Sequence, residues 1–168
     1  MKVVVSGSSG LIGSSLVASL QADGHDVVTL VRRTPTAAGQ VQWDPSLGAS
    51  GVTPELRAAI DGAGAVVNLA GAGVAEKRWD EAWKHQILDS RVAATTCLAT
   101  AITDVTSKPP VFVSGSASGY YGDTGPVAAD ESAHAGGTFL AHVCHSWELA
   151  AEPAREVGVR VVHPRTGT

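Results

Sequence analysis

Along the chain, short runs of mostly β-branched apolar residues alternate with longer stretches whose apolar positions recur every three or four residues. The short runs Lys2–Ser6, Asp26–Val31, Ala65–Leu69, Val111–Ser114 and Val159–His163 each predict a strand. The longer stretches Leu11–Ala22, Pro54–Ile60, Asp80–Ile102 and Phe139–Val157 predict helices. The strands are apolar almost throughout rather than alternating, which suits a sheet covered on both faces. Regular exchange of strand and helix predicts an α/β fold: a doubly wound parallel sheet between two helical layers. Local punctuation agrees. Thr53-Pro54 places a capping hydroxyl before a proline in the first helical turn, and Gly24 and Gly158 stand where left-handed helix caps fall. Trp79, Trp83 and Ile87, spaced by four, are expected to line the buried face of the long helix.

Two segments have no such pattern. Residues 32–51 contain a short apolar-polar run at Gln40–Trp43 followed by Asp44-Pro45, and residues 115–138 are rich in Gly, Ala, Ser and Asp. Both leave the carboxyl end of a predicted strand, where ligands bind in sheets of this kind.

Composition narrows the function. With 168 residues, 44% of them hydrophobic and 17% charged, residues 1–168 can form one domain with its own core. Twelve Lys+Arg against sixteen Asp+Glu give a net charge of -4, and no basic run is present, so a nucleic-acid partner is not expected. No apolar stretch nears the roughly 20 residues of a membrane helix, and Ser6–Gly10 interrupts the opening run too early for a secretion signal. Cys97 and Cys144 lack a disulfide framework and fit reduced thiols, so the expected location is cytoplasmic. His134, His142 and His145 with Cys144 do not complete a four-ligand metal set, and no G-x-S-x-G elbow occurs.

The first strand runs into Gly7-Ser8-Ser9-Gly10-Leu11-Ile12-Gly13 and then into a helix. Gly7 permits a tight turn, Gly10 lets a diphosphate approach the backbone, and Gly13 lets helix and sheet pack closely. Ser9, Leu11 and Ile12 complete a cradle whose open N–H groups face the anion. This predicts a dinucleotide coenzyme. The second strand ends not in a carboxylate but in Arg32-Arg33, a pair suited to a ribose 2′-phosphate, so NADP(H) is expected over NAD(H). Asn68, Ala70 and Gly71 close the next strand and either form the bed of the coenzyme or satisfy loop backbone.

The spacing G-x-x-G-x-x-G resembles that of the extended short-chain dehydrogenase/reductases, the epimerase/dehydratase superfamily. Several further segments resemble its subfamily related to nucleoside-diphosphate-sugar epimerases, the SulA-like epimerase family. They are Val66–Gly73, Arg78-Trp79, Ile87, Ser90-Arg91, Trp43-Asp44-Pro45, Ser116–Gly122, Phe139-Leu140, Cys144, Trp147-Glu148 and Arg165-Thr166-Gly167. The resemblance implies a Rossmann fold, bound NADP(H) and a small-molecule substrate. It also implies that residues 1–168 are the nucleotide-binding part, with the family's C-terminal substrate-binding part absent. A chain shortened in this way is expected to expose apolar surface that favours self-association.

The superfamily's tyrosine acid/base is paired with a lysine four residues on. Here the tyrosines are Tyr120 and Tyr121, the last lysine is Lys108, and the expected position reads Cys144-His145-Ser146-Trp147-Glu148. Ser116, with Ser114 as the other choice, is the candidate hydroxyl for a substrate oxygen, and Tyr120 or Tyr121 the candidate proton source. The competing reading makes Ser116 a turn residue and a tyrosine a packing group. Three functions follow: an NADP(H)-dependent oxidoreductase or epimerase acting on a small carbonyl or sugar-nucleotide-like substrate, a non-catalytic NADP(H)-binding or sensing module, and a truncated chain with weak coenzyme binding.

Overall fold

The computed structural model describes residues 1–167. In chain order its elements begin with β1 (Lys2–Ser6), α1 (Leu11–Ala22), β2 (Asp26–Val31), β3 (Gln40–Gln42), α2 (Pro54–Ile60), β4 (Ala65–Asn68) and α3 (Glu81–Asp104). They continue with β5 (Val111–Ser114), β6 (Ser116–Ala117), α4 (Phe139–Leu149), α5 (Glu152–Glu156), β7 (Arg160–Val162) and β8 (Arg165–Thr166). Short 3-10 turns occupy Pro45–Gly51 and Ser118–Tyr121.

Six strands form one parallel sheet in the order β3-β2-β1-β4-β5-β7. The chain winds outward from β1 in both directions, as in a Rossmann fold. The pleat sorts the side chains. Val4, Leu30, Val66, Phe112 and Val161 pack with Leu56, Ile60, Leu98, Ile102 and Ala154 of the helices on one face. Val3, Val5, Val27, Ala65 and Val67 meet Leu16, Val17 and Leu20 of α1 on the other. Both faces are therefore covered, which is why the strands carry no polar alternation. The register sets Ser6 beside Asn68 and Asn68 beside Ser114, so the carboxyl ends of β1, β4 and β5 form one buried polar edge.

Several predicted bounds need correction. The stretch Phe139–Val157 is two helices, not one. Pro153 has no N–H to give and its ring excludes the preceding turn, so α4 stops at Leu149 and Ala150–Ala151 turns the chain before α5. Trp79 is not on the long helix. Asp80 caps α3 by accepting from the Trp83 N–H at 2.7 Å, leaving Trp79 outside and 42% exposed, while Trp83 and Ile87 are buried. Strand ends at Leu69, Trp43 and His163 are each trimmed to the residues that keep ladder partners. The patternless segment 115–138 contributes β6, which pairs in parallel with β8: Ser116 opposite Arg165 and Ala117 opposite Thr166.

Candidate functional site

The first part of the site is the turn from β1 into α1. Gly7 has φ +69°, and a Cβ there would stand 2.5 Å from the carbonyl carbon of Leu69. A Cβ on Gly13 would be driven into the carbonyl oxygen of Gly7. These two glycines therefore let β1, the turn and the loop after β4 close on one another. Gly10 is different: a Cβ there would meet only the Gly7 oxygen, at 3.4 Å. Thr53, Asp80 and Thr138 cap α2, α3 and α4 with a side-chain oxygen, but α1 has no side-chain cap. Its first N–H groups remain open at the carboxyl edge of the sheet, beside the exposed Ser9, Leu11 and Ile12.

The remaining predicted coenzyme residues divide by what they touch. Arg33 gives Nη1 to the Thr36 hydroxyl at 2.6 Å and is engaged by its own loop. Arg32 is exposed, has no side-chain hydrogen bond among the described residues, and borders a cavity of about 630 Å³ at the β3 edge. Asn68 is fully buried. Its Oδ1 accepts from Ser6 Oγ at 2.6 Å and from the Ala70 N–H at 3.2 Å, and its Nδ2 donates to Thr95 Oγ1 at 2.9 Å. The Asn68 side chain thus shapes the Ala70–Gly71 bed from beneath, with its polar atoms turned inward.

Arg91, which the sequence marks only through the family resemblance, lies against that bed. Its Nη1 donates to the carbonyls of Ala72 at 2.8 Å and Ile87 at 2.9 Å, and its guanidinium stands 5.2 Å from the Trp147 ring centroid. Its Nε and Nη2 have no acceptor among the described residues. Burial pushes this guanidinium below its ordinary range, with Cys144 and Glu76 opposing. Ser90 holds the same loop by accepting from the Ala72 N–H at 3.0 Å.

The second part of the site surrounds Ser116. The β6–β8 pairing brings Arg165 across to α4, where Glu148 receives it: Nε to Oε1 and Nη2 to Oε2, both at 2.9 Å. Ser116 donates its hydroxyl to Glu148 Oε1 at 2.6 Å and is only 3% exposed. The third nitrogen of Arg165 donates to Tyr121 Oη at 2.9 Å, while its guanidinium carbon lies 3.6 Å from the centroid of the Tyr120 ring. Burial works to raise the Glu148 carboxyl, but Arg165 and Ser116 outweigh it and hold the group below its ordinary value. The same carboxylate holds Arg165 well above its own. Cys144, one helical turn before Glu148, is buried, and burial pushes its thiol up. Beneath the cluster, His163 Nδ1 lies 3.2 Å from the Ser114 carbonyl, so Nδ1 carries the proton, and Nε2 is buried without a partner among the described residues.

Ser116, Tyr120 and Tyr121 are thus gathered at one centre, and Gly7, Gly10, Gly13, Ala70 and Gly71 at a second close by. Trp147 spans the two, with its ring against both Gly115 and Arg91. Glu148 and Arg165 are central and were absent from the predicted site. Their signal was a carboxylate four residues after Cys144 and a basic residue just past the predicted strand Val159–His163. Among the described residues no group of three or more His, Cys, Asp or Glu is placed to hold a metal, and no helix is long and apolar enough to cross a membrane.

Comparisons with known proteins bear on this geometry. The profile of the NAD dependent epimerase/dehydratase family matches residues 3–165. An epimerase family protein of Mycobacterium bovis is 42% identical over 165 residues, covering 98% of this chain and 52% of its own. A solved nucleoside-diphosphate sugar epimerase from Corynebacterium glutamicum is 37% identical with a TM-score of 0.81, covering 98% of this chain and 33% of that one. The human epimerase family protein SDR39U1 (isoform 2), solved with NADPH, is 32% identical with a TM-score of 0.79, covering 98% of this chain and 53% of that one. The chain spans about half the length of the curated relatives it matches.

Proposed function

The chain belongs to the NAD dependent epimerase/dehydratase family, and we propose that it binds NADP(H) in preference to NAD(H) for oxidoreductase or epimerase-like chemistry on a small carbonyl or sugar-nucleotide-like substrate. The observation that carries this reading is the uncapped start of α1, set over a turn in which Gly7 and Gly13 leave no room for a Cβ. Open N–H groups at a strand's carboxyl end are built for a diphosphate. Arg91 supports the same reading, with two donor nitrogens unspent beside Gly71 and no carboxylate bonded to it among the described residues. The preference for the 2′-phosphate rests on Arg32, which has a free guanidinium where an NAD-selective site carries an acid.

When bound, the nicotinamide supplies or accepts a hydride with its electron pair. The chain's own residues have the remaining tasks. The loop after β4, tied down by Ser90, Arg91 and Asn68, keeps the coenzyme bed rigid. Tyr120 and Tyr121 provide the hydroxyl and the ring surface around the substrate oxygen, and Ser116 donates to the Glu148 carboxylate that holds Arg165 beside them. Relatives carry further length beyond the matched portion, and that portion is assigned the rest of the substrate pocket.

The test is a screen for NADPH oxidation with carbonyl probes, using the full chain and Tyr121→Phe. Consumption of NADPH that falls at least about tenfold in the variant supports catalysis at this centre. Coenzyme binding with no consumption by any probe reduces the function to a binding module.

A further inference from the structure

The hydrogen-bond directions around Arg165 separate the roles of the two hydroxyls. Ser116 has one proton, and it goes to Glu148 at 2.6 Å. What Ser116 has left are lone pairs, so in this arrangement it cannot polarise a carbonyl oxygen. Tyr121 is the reverse case. Arginine has no acceptor, so at the 2.9 Å contact Arg165 donates and Tyr121 Oη accepts. The phenolic proton of Tyr121 therefore points elsewhere, and no acceptor takes it among the described residues. Arg165 is also fixed in place. Two of its nitrogens are forked onto Glu148, its face lies on Tyr120, and both members of the ion pair are mostly buried, at 17% and 13% side-chain exposure.

We propose that Tyr121 is the residue that gives and takes a proton at the substrate oxygen, and that Arg165, clamped by Glu148, is its positioning residue. In the reducing direction the Tyr121 O–H bond breaks and an O–H bond forms on the substrate oxygen. The electron pair left on the phenolate then lies against the Arg165 cation, and the reverse transfer restores the phenol. The lysine of a Tyr-x-x-x-Lys pair is thereby unnecessary: the charge arrives across the β6–β8 pairing instead of along α4. This inference deepens the coenzyme-dependent reading and rests on it for the hydride.

The chain has two tyrosines, so Tyr120→Phe leaves Tyr121 as its single phenol. Tetranitromethane nitrates phenolate, so in that background the nitrotyrosine formed at fixed, mildly alkaline pH reads the charge Arg165 supports. Arg165→Gln is expected to slow nitration about tenfold even though it uncovers the ring, whereas Arg165→Lys retains most of the rate. Because Arg165→Gln strands a largely buried carboxylate, the double variant Glu148→Gln/Arg165→Gln is measured beside it and should show the same loss. An unchanged or faster rate in the folded double variant overturns the proposal. NADPH titrated into the same proteins separates the two readings. Binding within about threefold of the parent accompanies success, while a parent that takes no NADPH sinks the coenzyme reading and leaves the nitration result to decide the role of Arg165.

Discussion

At the scale of single residues, charge and hydrogen-bond direction decide function more than residue type does. Arg32 and Arg33 are adjacent and chemically identical, yet Arg33 is occupied by Thr36 and Arg32 is not. Arg32→Ala is therefore expected to weaken NADPH binding roughly tenfold, about 1.4 kcal/mol, while changing NADH binding little. Arg33→Ala should cost NADPH much less. Calorimetric titration of both variants with both coenzymes checks the order, and equal losses for the two coenzymes would show that the 2′-phosphate is read elsewhere. His163 carries a second residue-level consequence. Burial holds its imidazole below the ordinary 6.5, against the opposing pull of Glu148 and the Ser114 carbonyl. As pH falls through about 6.5 the unfolded chain takes a proton that the folded chain refuses, so stability declines with acidification. Glu148, held below 4.5, adds its own loss at lower pH as it protonates. Melting temperature should fall between about pH 7 and 5, and His163→Gln should flatten that slope. A slope unchanged by the substitution would assign it to other groups.

At the scale of elements, the helix starts divide by purpose. Three are closed by Thr53, Asp80 or Thr138; among the described residues the short α5 and α1 carry no side-chain cap, and α1 is the one that opens at the glycine turn. Gly10 has ordinary backbone angles, and a Cβ there meets only one atom, at 3.4 Å. Gly10→Asp should thus be tolerated sterically, cap α1 and leave the melting temperature level or slightly raised. It should also abolish coenzyme binding, because a carboxylate then occupies the anion's place. A variant that still binds NADPH normally would show that the cradle is not used. Much at this scale was legible in the sequence. The bounds of β1, α1, β2, α2 and β5 follow directly from hydrophobic period, glycine and proline placement. The break between α4 and α5 was marked by Pro153 but masked by apolar residues on both sides of it. The β6–β8 pair could not be read at all, since two residues have no period, and with it went the meeting of Arg165, Glu148 and Ser116. Asn68 was legible as a strand-end residue, but only the packing of Thr95 and Ser6 around it shows which way its amide faces.

At the scale of the whole molecule, two anion-handling features share one sheet edge. The open start of α1 and the half-buried Arg91 lie on either side of the loop after β4, and the Ser116–Tyr121 centre sits next to them across Trp147. Strand order places them together: β1, β4 and β5 are neighbours although 62 residues separate Ser6 from Asn68 in the chain. Coenzyme binding at that edge underlies the function of both features. Isothermal titration of the full chain with NADPH and NADH measures it most directly. Saturable binding of NADPH, tighter than NADH by about tenfold or more, is the predicted result. A flat titration with both coenzymes at concentrations well above the micromolar range would contradict it.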